Sequence, residues 1–137
     1  MKFTEKPLLK NLYKKTPVSI GNLGEDEAVR VLKKKGYIIL ERNYRTRTGE
    51  IDIIAKDGEY TCFVEVKLRK NNNYGTPGEM ITPQKKSRII KAAQHYTAKK
   101  GLHDSPLRFD AVLINAEVTG KKLKIIQTEV VENAFEL

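Results

Sequence analysis

Cysteine is almost missing from this chain. Cys62 stands alone, so no intrachain disulfide can form. Its only companions of metal-binding softness are His95 and His103, too few for a closed zinc site of Cys and His. Long apolar runs are missing as well. No segment approaches the roughly 20 apolar residues of a membrane-spanning helix, and the basic N-terminus lacks the apolar stretch of a secretory signal. These absences argue against a disulfide scaffold, a zinc finger and a helical membrane protein, and they predict a cytoplasmic location. Acidic residues are also in deficit: 17 Asp and Glu face 26 Lys and Arg, a net charge of +9. On so small a body that charge attracts polyanions at long range and is screened by salt. Nucleic acid is the first partner to consider, with an anionic membrane surface second and a solvated basic surface as the plain alternative.

The 137 residues favour one domain, able to bury roughly two-thirds of its unfolded surface. Residues 1–20, with Lys2, Lys6, Lys10, Lys14 and Lys15, read as a basic N-terminal arm, and residues 21–137 as a single α/β domain. A helix is predicted from Leu23 to Lys35. Asn22 is its expected cap, Glu25 completes a capping box, Ala28, Val29 and Leu32 form the apolar stripe, and Gly36 ends it. An extended stretch follows from Tyr37 to Tyr44, then a basic turn from Arg45 to Gly49. Strands are predicted over Ile51–Lys56 and Tyr60–Arg69, joined by a turn at Asp57-Gly58. Asn71 to Gly78 reads as a loop. A second helix starts at Thr82-Pro83 and runs to about Lys100, with Ile89, Ala92, Ala93 and Tyr96 facing inward. Strands over Leu107–Asn115 and Leu123–Val130 complete the order αβββαββ, a central mixed sheet flanked by helices.

The chemistry concentrates in Phe63-Val64-Glu65-Val66-Lys67. Strand side chains alternate between faces. Cys62, Val64, Val66 and Leu68 therefore line a core face, while Glu65 and Lys67 share the other. The same rule groups Glu50, Asp52 and Ile54 on one face of the preceding strand. A turn at Asp57-Gly58 pairs Lys56 with Glu59, Asp52 with Phe63 and Glu50 with Glu65, and puts Asp52 diagonal to Glu65. Carboxylates crowded on a half-buried face repel one another. A hard cation, Mg²⁺ or Mn²⁺, relieves this. Asp52, Glu65, Glu50 and a main-chain carbonyl near Val66 are the expected metal ligands. Lys67 carries no ligand oxygen and is placed to contact a metal-bound water or a scissile phosphate, the chemistry of phosphodiester hydrolysis. A Glu-Lys pair on a solvated face is the bland alternative, but it leaves the aligned Asp52 and Glu50 unexplained. Glu25 falls on the inward stripe of the first helix and Lys85 on that of the second. Each serves either the site or its own helix end. Lys85, Arg88, Arg45 and Arg47 are the expected nucleic-acid contacts. Arg108 and Asp110 read as a structural pair. Tyr44, Tyr74 and Tyr96 read as core packing before base stacking, and Lys33, Lys34 and Lys35 as a solvated helix end.

These residues resemble the PD-(D/E)xK nuclease superfamily, and within it the YraN family of bacterial proteins. The likeness rests on Gly24-Glu25 with Ala28, Gly36-Tyr37, Arg42-Asn43-Tyr44-Arg45, Gly49-Glu50-Ile51-Asp52 and Phe63-Val64-Glu65-Val66-Lys67 with Arg69. Gly75, Pro77, Glu79, Lys85, Arg88, Ala92-Ala93, Tyr96, Arg108-Phe109-Asp110 and Asn133-Ala134-Phe135 extend it from about Gly21 to the C-terminus. The resemblance implies a restriction-endonuclease-like αβββαβ core and a Mg²⁺-dependent site. In it Asp52 and Glu65 are metal ligands, Lys67 is the catalytic lysine, and Glu25 is similar to the helical acid of Holliday-junction resolvases. The expected function is cleavage of DNA, including branched or repair intermediates. The alternatives are a non-catalytic nucleic-acid-binding module on the same fold and a protein-interaction subunit. RNA as substrate and a homodimer stay open.

Overall fold

The computed structural model describes residues 17–70, 81–120 and 122–136. The element order is α1 (Pro17–Lys34), β1 (Ile38–Arg45), β2 (Glu50–Asp57), β3 (Tyr60–Lys70), α2 (Pro83–Lys100), β4 (Leu107–Thr119) and β5 (Lys122–Val131). One sheet holds all five strands in the order β1-β2-β3-β4-β5. Only β3 and β4 run parallel, and α2 supplies the crossover that a parallel pair requires. This is the αβββαβ core of a restriction-endonuclease-like fold. The predicted loop from Asn71 to Gly78, with Tyr74, and most of the predicted arm lie outside the described residues. No described helix is long and apolar enough to cross a membrane.

Among the described residues, each face of the sheet packs against one helix. Against α2, whose Ile89, Ala92, Ala93 and Tyr96 are buried as their spacing predicts, lie Ile54, Phe63, Phe109 and Leu113. Against α1, Ala28 and Leu32 meet Ile53, Ala55, Cys62, Val64, Val112 and Ile114. Burying each large side chain of this kind contributes roughly 1.5–3 kcal/mol. The α2 boundaries follow local chemistry. Thr82 accepts from the Lys85 N–H, Pro83 occupies the first turn, and Gly101 closes the helix at φ 68°.

α1 differs from expectation. It begins at Pro17 rather than Leu23, so Asn22 is not its cap and the Asn22–Glu25 capping box does not form. Proline fits the first turn here as it does in α2, and the helix runs straight through the capping pattern. The hairpin also differs. Gly58, at φ 60°, and Glu59 form the turn, and Asp57 pairs with Tyr60. The register is therefore Lys56 with Thr61 and Ile54 with Phe63, two residues from the expected pairing. A shift of two leaves every face assignment of β3 intact.

Asp110 of β4, fully buried, ties the strands together on the side of the β2–β3 hairpin. It accepts from Tyr37 Oη (2.9 Å), from Arg108 Nε (2.9 Å) and Nη2 (2.9 Å), and from the Asn133 N–H (3.0 Å). Arg108 also binds Asp57 at 2.7 Å. The expected structural Arg–Asp pair is thus the hub of a larger network, which holds the C-terminal segment so that Phe135 stacks on Phe109.

Candidate active site

β2 pairs with β3 only from Ile53 to Asp57. Beyond Ile53 toward its N-terminus the two strands part, and a side chain takes over the ladder: Asp52 Oδ2 accepts from the Val66 N–H at 2.8 Å. Alternation also breaks at this level. Ile53 packs in the α1 core, yet Ile51 packs with Ile54 in the α2 core. β1 turns over with it: Arg42 reaches Glu25 and Asp26 of α1, whereas Tyr44 lies in the α2 core. Asp52 sits at this crossing, with Glu65 of β3 on one side and Glu25 of α1 on the other.

Toward α2 stands Glu65, only 5% exposed, with Oε1 buried and without a hydrogen-bond partner. Burial, then the neighbouring Asp52 charge, raises its pKa to about 8, against the pull of Lys85 and Lys67. Lys85 Nζ lies 3.7 Å from Glu65 and 3.0 Å from Glu50. Burial lowers the affinity of Lys85 for its proton, but Glu65, Glu50 and Asp52 more than offset this, so its pKa is raised. Lys67, two residues along β3 from Glu65 and half-buried, belongs to the same group.

Toward α1 a cavity of about 290 Å³ opens, lined by Asn22, Glu25, Asn43, Arg45, Asp52 and Val66 among others. Burial first, then Asp52, raises the Glu25 pKa, while Arg42 and Asn43 act to lower it. With the capping box gone, Glu25 is free for these contacts: Asn43 Nδ2 at 3.1 Å and Arg42 Nη2 at 3.4 Å.

The expected set is therefore gathered in part. Asp52, Glu65 and Lys67 come together, with Glu25 across Asp52. Glu50 is drawn elsewhere: Arg88 Nη2 at 2.6 Å and Lys85 hold its carboxylate, and these bonds, with Arg88 first, bring its pKa down to about 2. Lys85 and Arg88 accordingly form the site wall as partners of Glu50. Val66 contributes its N–H to Asp52. Arg45 lines the cavity, and Arg47 is exposed in the turn after β1. Arg42, Asn43 and Gly49 escaped functional notice. Gly49 presses so close to α2 that an added Cβ would stand 1.8 Å from the Arg88 carbonyl oxygen.

Among the described residues, no three His, Cys, Asp or Glu side chains are gathered closely enough to hold a metal by themselves. Mg²⁺ does not need such a cage, since one or two carboxylates plus water and substrate oxygens are its usual shell. A buried carboxylate oxygen with no partner, beside a second carboxylate, fits that requirement.

An α/β protein with a restriction-endonuclease-like core and an acidic pair where two central strands part is the class these features define. The chain belongs to the uncharacterised protein family UPF0102, whose family model matches residues 24–114. It is 45% identical to a UPF0102 protein of Alkaliphilus metalliredigens, over 85% of this chain and 97% of that one. The corresponding protein of Clostridium perfringens is 44% identical, over 82% and 92%. That of Dictyoglomus turgidum is 43% identical, over 85% and 96%. The matched span includes Glu25, Asp52, Glu65, Lys67 and Lys85.

Proposed function

We propose that this protein is a metal-dependent endonuclease of the PD-(D/E)xK type that hydrolyses phosphodiester bonds in DNA. The observation that carries the reading is the Glu65 carboxylate, buried beside Asp52 with one oxygen unpartnered and Lys67 on the same strand. Asp52 and Glu65 would hold Mg²⁺ or Mn²⁺. Bound there, the ion supplies Lewis acidity toward a phosphoryl oxygen and a more acidic water. Lys67 holds its ammonium toward the scissile phosphate and the attacking water. Glu25 places a second-layer acid on the far side of Asp52. Lys85 keeps Glu65 from standing uncompensated, and Arg45, Arg47 and Arg88 offer phosphate contacts around the opening. The net charge of +9 attracts a polyanion to the protein at long range.

The test is purified protein against labelled linear, flapped and branched DNA, with RNA alongside, in Mg²⁺ or Mn²⁺, next to Glu65→Gln. The expected result is cleavage of at least one DNA form by the wild type and none by the variant. Salt-dependent binding with no cleavage of any substrate would make the protein a non-catalytic nucleic-acid-binding module instead.

A further inference from the structure

Asn43 adopts φ 55°, in the left-handed region that side chains seldom enter, inside β1. The pairs Arg42 with Ile53 and Tyr44 with Ile51 bracket Asn43 directly opposite Asp52. Both strands turn over at this level, and a left-handed residue is what permits β1 to do so. Glycine would meet the backbone requirement at no steric cost. Asparagine meets it at small cost and adds an amide, which here donates from Nδ2 to Glu25 Oε1 at 3.1 Å. The other donor to that oxygen, Arg42 Nη2 at 3.4 Å, is held more closely by Asp26 at 2.7 Å. Glu25, Asn43 and Asp52 all line the cavity on the α1 side.

We infer that Asn43 is a positioning residue, whose amide holds the Glu25 carboxylate toward Asp52 and so completes the oxygen-rich surroundings of the metal. This rests on the nuclease reading above. Residues that orient metal surroundings typically cost 10–100-fold in affinity when lost, and one hydrogen bond to a partly exposed carboxylate belongs at the lower end.

The experiment measures Mn²⁺ affinity by electron paramagnetic resonance, together with thermal melting in chelator, for wild type, Asn43→Gly, Glu25→Gln and the double variant. Asn43→Gly keeps the backbone conformation and removes only the amide. It should melt at the wild-type temperature or above and bind Mn²⁺ roughly tenfold more weakly. Glu25→Gln should weaken binding comparably, and the double variant no further, since both remove one interaction. Wild-type affinity in Asn43→Gly, or losses that multiply in the double variant, would overturn the inference while leaving the metal site standing. A wild type that binds no Mn²⁺ would bring down the nuclease reading and this inference with it.

Discussion

Glu65→Gln in metal-free protein changes one atom and removes one ionisation. In the folded chain the Glu65 carboxyl holds its proton up to about pH 8, against an ordinary value of 4.5. The folded state thus binds this proton more tightly than the unfolded chain does. The resulting stabilisation is complete below pH 4.5 and drains away as pH rises through 8. At 1.36 kcal/mol per pH unit the full loss is roughly 5 kcal/mol. Water entry and small movements of Lys85 reduce it, so a fall of about 2 kcal/mol or more between pH 5 and pH 8 is expected. Urea unfolding in EDTA at several pH values measures it. The wild type should lose stability across this window, while Glu65→Gln, neutral throughout, should stay flatter and overtake the wild type near pH 8. Mg²⁺ or Mn²⁺ should restore the wild type at pH 8, by about 2.7 kcal/mol at a hundred times Kd, and leave the variant unmoved. Parallel stability curves in EDTA would refute the reasoning, because they would mean that Lys85 and Lys67 already neutralise Glu65.

Lys67→Ala should leave Mn²⁺ affinity near wild type and lower single-turnover cleavage at saturating protein on the order of a hundred- to a thousand-fold; a wild-type rate at saturation would make Lys67 a binding residue only. Gly49→Ala should destabilise by about 3 kcal/mol or more, at the upper end for overpacking, because the new Cβ meets backbone at 1.8 Å rather than a side chain that can swing away. Urea or thermal unfolding checks this, and wild-type stability would show that the β1–β2 turn and α2 do not approach so closely.

Much of this architecture was legible. Thr82-Pro83 and Gly101 are local signals, and α2 obeys them. Alternation in β3 correctly opposed Glu65 to the buried Cys62 and Val64. The hairpin register was not legible, because Asp57-Gly58 and Gly58-Glu59 both offer a glycine to a two-residue turn. The start of α1 was not legible because a capping box inside a longer helix looks the same as one at its end. The turnover at Asn43 and Asp52 had no periodic signature at all. It depends on two strands breaking alternation together, and only packing of Tyr44 and Ile51 on one side, Arg42 and Ile53 on the other, exposes it. The ion pairs of Glu50 were not legible for a related reason: its partners Lys85 and Arg88 come from α2, far away in sequence.

Asp110 and Glu65 make an instructive pair. Val64 neighbours Asp110 and Glu65 neighbours Ala111 across the parallel strands, so the two buried carboxylates lie one residue apart in register. Every oxygen of Asp110 is spoken for by tyrosine, arginine and main chain. One oxygen of Glu65 is spoken for by nothing. Burial alone therefore does not separate a keystone from an open socket in this sheet; the supply of donors does. An engineer wishing to silence the socket without disturbing the building has a donor to add at Glu65, while at Asp110 there is none that can be spared.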